Sequence, residues 1–436
     1  MSAHFKTQKN ILDKLGIKQL NMMQEEAQKA IENHSNIVLL SPTGTGKTFA
    51  FLLPIINKLE LALSQVQVLI LVPSRELAIQ IEQVIRDMGA GFKANAVYGG
   101  RPFSKDKLEL KHPPTILVGT PGRIADHLRK ESFSIQNINT LVLDEFDKSL
   151  EIGFEEDMNE IVLALPKVSK RILTSATQSI EIPKFVGLEN PFYINYLEEG
   201  IAQLKLKTVI SPSKDKLKTL VNLLNHIGNE PGIIFCNFKD TIQIVSDFLT
   251  ENKINHGCFF GGMEQIERER ALIKFRNKTH QIIIATDLAA RGLDIQELKF
   301  IIHYQLPHRV QEFTHRNGRT ARMNHAGTAY VIKWERENLP DFIKDSKIEI
   351  IENKTMTEAN NWQTLFISGG RKDKISKGDI AGLFIKQGHL EKDELGMIEL
   401  KQDCAFVAVS SFKVNQLIGL LNNTKLKNKK VRINLV

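Results

Sequence analysis

Short, unbroken apolar runs recur along the first two-thirds of the chain, separated by longer amphipathic stretches. Between 37 and 175 they are IVLL (37–40), VLILV (68–72), TILVG (115–119), TLVLD (140–144) and RILTS (171–175). Such runs do not alternate apolar with polar, so they predict strands covered on both faces, as in a parallel sheet. Segments 48–63 and 75–88 carry helical spacing and are expected to be the crossovers. The rhythm returns with IIFCN (233–237), CFFGG (258–262), IIIATD (282–287), FIIHYQ (300–305) and TAYVIKW (328–334). Two tandem doubly wound α/β domains are expected, with a junction near 197–212, where LEEGIAQLKLKTVISPSK mixes charge with a Ser-Pro turn signal. Residues 335–361 read as a helical and polar connection. From Trp362 a smaller strand-rich α+β unit follows, with helices starting near 378 and spanning 411–422. The expected domains are 1–203, 204–350 and 362–436, with 351–361 as linker.

Charge changes this picture more than composition does. The 436 residues are 42% hydrophobic and 25% charged, ordinary for a folded chain. The net charge is +8, yet residues 362–436 hold 13 Lys+Arg against 7 Asp+Glu, so +6 of it lies in the last sixth. A polyanion-binding C-terminal unit is the natural reading. Cys236, Cys258 and Cys404 lie far apart and form no CxxC, which speaks against a disulfide framework or zinc site and for small apolar residues. No signal-peptide pattern or bilayer-length apolar run occurs, so a cytoplasmic protein without membrane contact is expected.

Candidate chemistry starts at SPTGTGKT (41–48), between an apolar strand and a helix. Ser41, Pro42, Thr43, Gly44, Thr45 and Gly46 would wrap backbone N–H groups around phosphates at a helix N-terminus. Lys47 would reach the β/γ-phosphates and Thr48 would ligate Mg²⁺. Ser41 stands where the usual pattern has Gly, and an ordinary strand–turn–helix is the competing reading. At the end of the TLVLD strand, Asp144 could hold Mg²⁺ and Glu145 could orient the attacking water as general base.

Through these and further motifs, residues 11–335 resemble the DEAD-box ATP-dependent RNA helicases. Gln24 resembles the adenine-sensing Gln. PSRELA (73–78), YGG (98–100), TPGR (120–123), DEFD (144–147), SAT (175–177), IIFCN, QIER (265–268), ATDLAARGLDI (285–295) and HRNGRTAR (315–322) follow in the family's order. The resemblance implies two RecA-like domains using ATP and Mg²⁺. It implies Arg319 and Arg322 as arginine fingers and Asp294 on the ribose. It implies RNA backbone contacts from Arg75, Gly100, Thr120, Arg123, Arg268 and Thr286, and domain coupling through Ser175, Thr177, His315 and Arg316. Spacing alone leaves Arg316, Arg319 and Arg322 equally readable as a solvated basic face. Three departures stand out: Phe146 for the family's Ala, Asn317 for an aliphatic residue, and Asn21 for Thr or Ser. Phe5 is a candidate adenine-stacking aromatic, though a mobile N-terminal residue fits as well.

Residues 362–436 resemble the C-terminal RNA-binding domain of the DbpA group, a divergent RRM. Phe366 and Phe406 are either base-stacking or core residues, and Cys404 replaces another stacking position. RNA recognition is expected to lean on Arg371, Lys372, Lys374 and Lys377 and on Lys425, Lys427, Lys429 and Lys430. The resemblance implies large-subunit ribosomal RNA and pre-ribosomal particles as partners, and local unwinding of short duplexes by a monomer. An ATP-gated RNA clamp or scaffold, or a DNA helicase, are the alternatives.

Overall fold

The computed structural model describes residues 7–436 except 166, 178–180, 198–203, 291–297, 321–325, 344–345 and 353–360. The chain forms two compact units, divided between residues 202 and 203 for most of their length. Among the described residues no helix is long and apolar enough to cross a membrane.

The first unit opens with α1 (Gln8–Leu15) and α2 (Met22–Asn33), followed by β1 (Asn36–Leu40) and α3 (Lys47–Ile56). Then come β2 (Val68–Leu71), α4 (Arg75–Met88), β3 (Ala94–Val97), α5 (Phe103–Leu110), β4 (Ile116–Gly119) and α6 (Pro121–Arg129). It closes with β5 (Thr140–Leu143), α7 (Phe146–Ile152), α8 (Glu155–Ala164), β6 (Lys170–Ser175) and β7 (Phe192–Asn195). The seven strands lie in the order β3-β4-β2-β5-β6-β1-β7, all parallel. Alternate residues of one strand enter opposite cores: Ile37 and Leu39 one, Val38 and Leu40 the other. That two-sided burial produces the continuous apolar runs. The helix expected over 48–63 ends at Ile56. Beyond it the buried Gln67 amide holds Glu60 through both its N–H and its C=O, at 2.9 and 2.7 Å, which fixes a turn.

The strand order sorts the loops. Those after β5, β6 and β1 sit side by side at the carboxyl edge, where open α/β sheets bind ligands. Those after β3, β4 and β2 occupy the other half of the same edge.

The second unit contains β8 (Leu204–Ser211), α9 (Leu217–Ile227), β9 (Gly232–Phe235), α10 (Lys239–Glu251), β10 (His256–Phe259), α11 (Gln265–Arg276) and β11 (Ile282–Ala285). It continues with α12 (Asp287–Ala290), β12 (Phe300–His303), α13 (Val310–Asn317), β13 (Gly327–Trp334) and β14 (Lys347–Ile348). This sheet is again parallel, in the order β10-β11-β9-β12-β13-β8-β14. Two expectations change here. Residues 204–211, read as junction, are a strand paired along its whole length with β13. The 335–361 segment, read as helical and polar, shows among its described residues a 3₁₀ turn at Asp341–Ile343 and returns to the sheet as β14 on the edge of β8.

The same unit ends in β15 (Trp362–Ile367), α14 (Lys377–Gly382), β16 (Leu395–Leu400), β17 (Ala405–Ser410), α15 (Val414–Leu421), β18 (Lys425–Leu426), β19 (Lys429–Lys430) and β20 (Ile433–Leu435). Strands β16-β17-β15-β20 form an antiparallel sheet with the βαββαβ connectivity of ferredoxin-like modules. Leu365, Ile367, Ala405, Val407 and Val409 face its helices.

Candidate functional site: a nucleotide pocket and the neighbouring loop edge

The phosphate loop is preorganised from two sides. Gly44 and Gly46 sit at φ +85° and +86°, the left-handed region that side chains disfavour. At Gly46 an added Cβ would lie 2.4 Å from Gln24 Nε2 and would displace that side chain. Gln24 donates to the Gly46 carbonyl at 3.3 Å, and Asn21 Nδ2 donates to the Thr45 carbonyl at 3.1 Å. Asn21 and Gln24 also form the capping box of α2. Asn21 divides the two tasks between two atoms: its Oδ1 caps the helix while its Nδ2 donates to the loop. Inside the loop Lys47 is buried, its ammonium donating to the Pro42 carbonyl at 2.9 Å and to that of Ser41. Ser41 Oγ donates to Thr45 Oγ1 at 2.7 Å, which gives this position a role glycine could not fill.

The carboxylates stand on the neighbouring strands. Asp144 is 3% exposed. Its Oδ1 accepts from the Thr174 hydroxyl and from the Glu145 N–H at 3.1 Å. Burial first, then the adjacent Glu145, pushes its carboxyl up to about 6, against the pull of Thr174 and Lys47. Glu145 adopts φ +47°, a left-handed conformation that is costly for a side chain and is held by its N–H bonds. Its Oε2 makes no hydrogen bond. Asp147 accepts from Thr177 Oγ1 at 3.3 Å, while Ser175 Oγ donates to the Thr177 carbonyl at 2.9 Å. The Ser41 N–H donates to Ser175 O at 3.0 Å. The DEFD and SAT segments and the phosphate loop thus form one hydrogen-bonded frame.

Phe146 points away from this chemistry. It is fully buried in the core with Met158, Ile161, Leu173 and Val186. Phe146→Ala is expected to cost about 3–5 kcal/mol through the cavity left behind. A lowered melting temperature, with ATP affinity retained below the melt, is the expected measurement.

On the other half of the edge, Arg75 lies against the double glycine. A Cβ at Gly100, where φ is +88°, would meet Arg75 Nη1 at 2.2 Å. Thr120 starts α6 and is nearly buried. Arg123 differs from expectation: its side chain is 9% exposed and turned inward. It donates to the carbonyls of Tyr98, at 3.0 Å, and Arg101, and pairs with Asp106. Its part is to hold the loops rather than to reach outward. In the second domain Arg268 Nη1 donates to Phe260 O at 3.3 Å and lies over the Phe259 ring. The Thr286 N–H donates to Phe259 O at 3.4 Å, so the end of β10 brings both together.

Arg316 is no solvated cation. Its guanidinium grips both oxygens of Asp287, the Gln305 carbonyl at 2.8 Å and Asn237 Oδ1 at 2.7 Å. Asn317 accounts for its own departure, since its Oδ1 faces His303 Nε2 at 3.1 Å. An aliphatic residue would leave that buried ring nitrogen unpaired. His315 and Arg319 are buried too. Phe5, Asp294 and Arg322 lie outside the described residues.

In the C-terminal module, Arg371, Lys372, Lys374, Lys377, Lys425 and Lys430 are exposed. Lys427 and Lys429 are also ion-paired, each at 2.8 Å, with Asp379 and Asp373 respectively, and Lys427 remains exposed. Lys427 also donates to the Lys374 carbonyl, which joins the 425–430 hairpin to the 371–377 loop as one basic edge. Phe366 and Phe406 are cross-strand partners with ring centroids 5.7 Å apart. They occupy the sheet face opposite the module's core. On that face Thr364 meets Thr279 at 2.7 Å and Asn277 at 3.2 Å. Arg276 Nη2 donates to both carboxylate oxygens of Glu399, at 3.0 and 2.9 Å. The module's sheet is thus seated on the end of α11, and the phenylalanines belong to a face the second domain already contacts. The sequence held no signal for this seam, nor for Asp106 and His127 in the first domain.

Residues 21–185 match the DEAD/DEAH box helicase family, 215–324 the helicase conserved C-terminal domain and 364–435 the DbpA RNA binding domain. The ATP-dependent RNA helicase DbpA of Escherichia coli is 31% identical over 98% of this chain and 96% of its own. The chain belongs to the DEAD-box ATP-dependent RNA helicases. The DbpA of Bacillus subtilis is 29% identical over 97% of this helicase and 96% of its own length. In fold, Dbp5 of S. cerevisiae bound to RNA and ADP BeF3 covers 78% of this helicase and 91% of its own chain, with a TM-score of 0.68 at 24% identity. The helicase uses ATP and binds RNA, and the frame around Lys47, Asp144 and Glu145 is where its nucleotide chemistry is to be sought.

Proposed function

We propose that this helicase opens short RNA duplexes locally, during assembly of the large ribosomal subunit in the cytoplasm. Its C-terminal module supplies the standing hold on ribosomal RNA. The observation that carries this reading is the basic edge of Arg371, Lys372, Lys374 and Lys377, built onto a module seated on the second helicase domain. Lysine and arginine exposed on one edge grip phosphates without reading sequence.

Mg²⁺ fits the nucleotide pocket. Asp144 Oδ1 takes both hydrogen bonds and Oδ2 takes neither, and a cation would relieve the cost of burying this carboxylate. Lys47, Asp144 and Thr48 would hold ATP·Mg²⁺, with Glu145 as general base. Arg319 and Arg322 are assigned as the cations that meet the developing phosphoryl charge, and Asp294 as the ribose contact.

The test is the full-length variant with Arg371, Lys372, Lys374 and Lys377 all changed to Glu. Its affinity for a large-subunit ribosomal RNA hairpin is expected to fall. The slope of log affinity against log salt is expected to flatten by about 3, at roughly 0.7 per lost phosphate contact. Equal affinity would remove the delivery role. A strand-displacement assay run beside the ATPase assay separates an unwinder from an ATP-gated clamp, which would hydrolyse ATP without releasing strands.

A further inference from the structure

Beneath the loops after β3 and β4 lies a charge cluster that nucleotide chemistry does not use. Asp106, on α5, is 0% exposed. Arg101 Nε approaches its Oδ1 at 2.6 Å, and Arg123 Nε and His127 Nε2 approach its Oδ2 at 3.2 and 3.3 Å. Arg101 Nη2 also pairs with Glu109 at 2.9 Å. Burial opposes the charge on Arg101, but Asp106 and then Glu109 outweigh it and raise its pKa. The Phe103 ring stacks on His127, with centroids 4.2 Å apart, and takes Lys130 on its ring at 4.1 Å.

The two arginines belong to different loops. Arg101 follows the double glycine, and Arg123 lies in the first turn of α6. Arg123 donates to the backbone carbonyls of Tyr98 and Arg101, which bracket Gly99 and Gly100. A single buried carboxylate therefore sets how the double-glycine loop sits against the start of α6. A buried carboxylate serving two guanidinium groups is costly to desolvate, and its removal would leave two half-buried guanidinium groups short of the charge that holds them together.

We propose that Asp106 is a positioning residue for RNA binding: through Arg123 and Arg101 it fixes the RNA-facing backbone of residues 98–101 and 120–123. The inference rests on the assignment of those loops to RNA.

Asp106→Asn keeps the shape and removes the charge. In the full-length helicase, with RNA-stimulated ATPase as readout, its KM for RNA is expected to rise about tenfold or more, part of the cost of removing the charge from a buried ion pair. KM for ATP and kcat at saturating RNA should stay unchanged. Arg123→Gln should raise the KM for RNA as well, and the double variant should be no worse than the poorer single one. A KM for ATP that rises in parallel would mark general loosening of the domain and overturn the proposal. Additive effects of the two substitutions would overturn it too, because Asp106 would then act by another route. If Arg123→Gln raises the KM for RNA and Asp106→Asn does not, only the role of Asp106 fails. If neither does, the assignment of these loops to RNA fails with it. Should Asp106→Asn not fold, Arg101→Gln breaks the same ion pair from a partly exposed side chain, and the same readouts apply.

Discussion

Glu145→Gln is expected to lower ATP turnover by about 10²–10⁴-fold, the range of a positioned general base, while leaving ATP binding intact. The structure gives three reasons. Its backbone is held in the left-handed region by an N–H that donates to Asp144 Oδ1 and to Thr174 Oγ1, each at 3.1 Å. Those bonds do not involve the side chain, so the amide variant keeps the frame. Its Oε2 makes no hydrogen bond, so the carboxylate is not committed to the fold. The phosphate contacts would come from Lys47 and the loop backbone, which the substitution does not touch. Single-turnover hydrolysis and binding of a fluorescent ATP analogue, measured on the same preparation, separate the two effects. Wild-type turnover would remove Glu145 as the base. Lost binding would mean that the carboxylate also holds the nucleotide.

What the sequence made legible follows from how burial writes itself into it. Strands covered on both faces leave unbroken apolar runs, and seven of the ten runs coincide with fully buried stretches of strand in the two parallel sheets; the exceptions are the partly buried β6, β10 and β13. β7 left no such trace, because only Ile194 of its four residues is buried. β14 is two exposed residues, and β8 alternates enough polar positions to pass for a linker. The phosphate loop was readable because glycine spacing is a local requirement. The Asp106 cluster was not: in SKDKLEL an aspartate among lysines looks solvated, and only the fold brings Arg101, Arg123 and His127 to it. His303 and Asn317, the latter read singly as a departure, compensate each other. The seam between Arg276, Asn277 and Thr279 and the C-terminal sheet arises from tertiary packing, which no local pattern encodes.

Arg316→Lys is expected to destabilise the second unit by about 1–3 kcal/mol, the cost of leaving a buried acceptor without its donor while the charge is kept. The side chain is 1% exposed and makes four donor contacts that a single ammonium cannot reproduce. They tie α13 to the start of α12, the end of β12 and the end of β9. The guanidinium also lies 5.2 Å above the Phe235 ring. A lysine would leave one oxygen of Asp287, the Gln305 carbonyl or Asn237 without its donor. The protein's two tryptophans, Trp334 and Trp362, both lie in the second unit, so their fluorescence during urea unfolding reports that unit alone. Its midpoint should fall, while ATP binding to the first unit persists to the wild-type denaturant concentration. Arg319 follows three residues later on the same segment, so ATPase activity should fall along with the midpoint. An unchanged midpoint with lost ATPase activity would reverse the assignment: Arg316 would then act on the reacting phosphates and not as the lock that positions its neighbour.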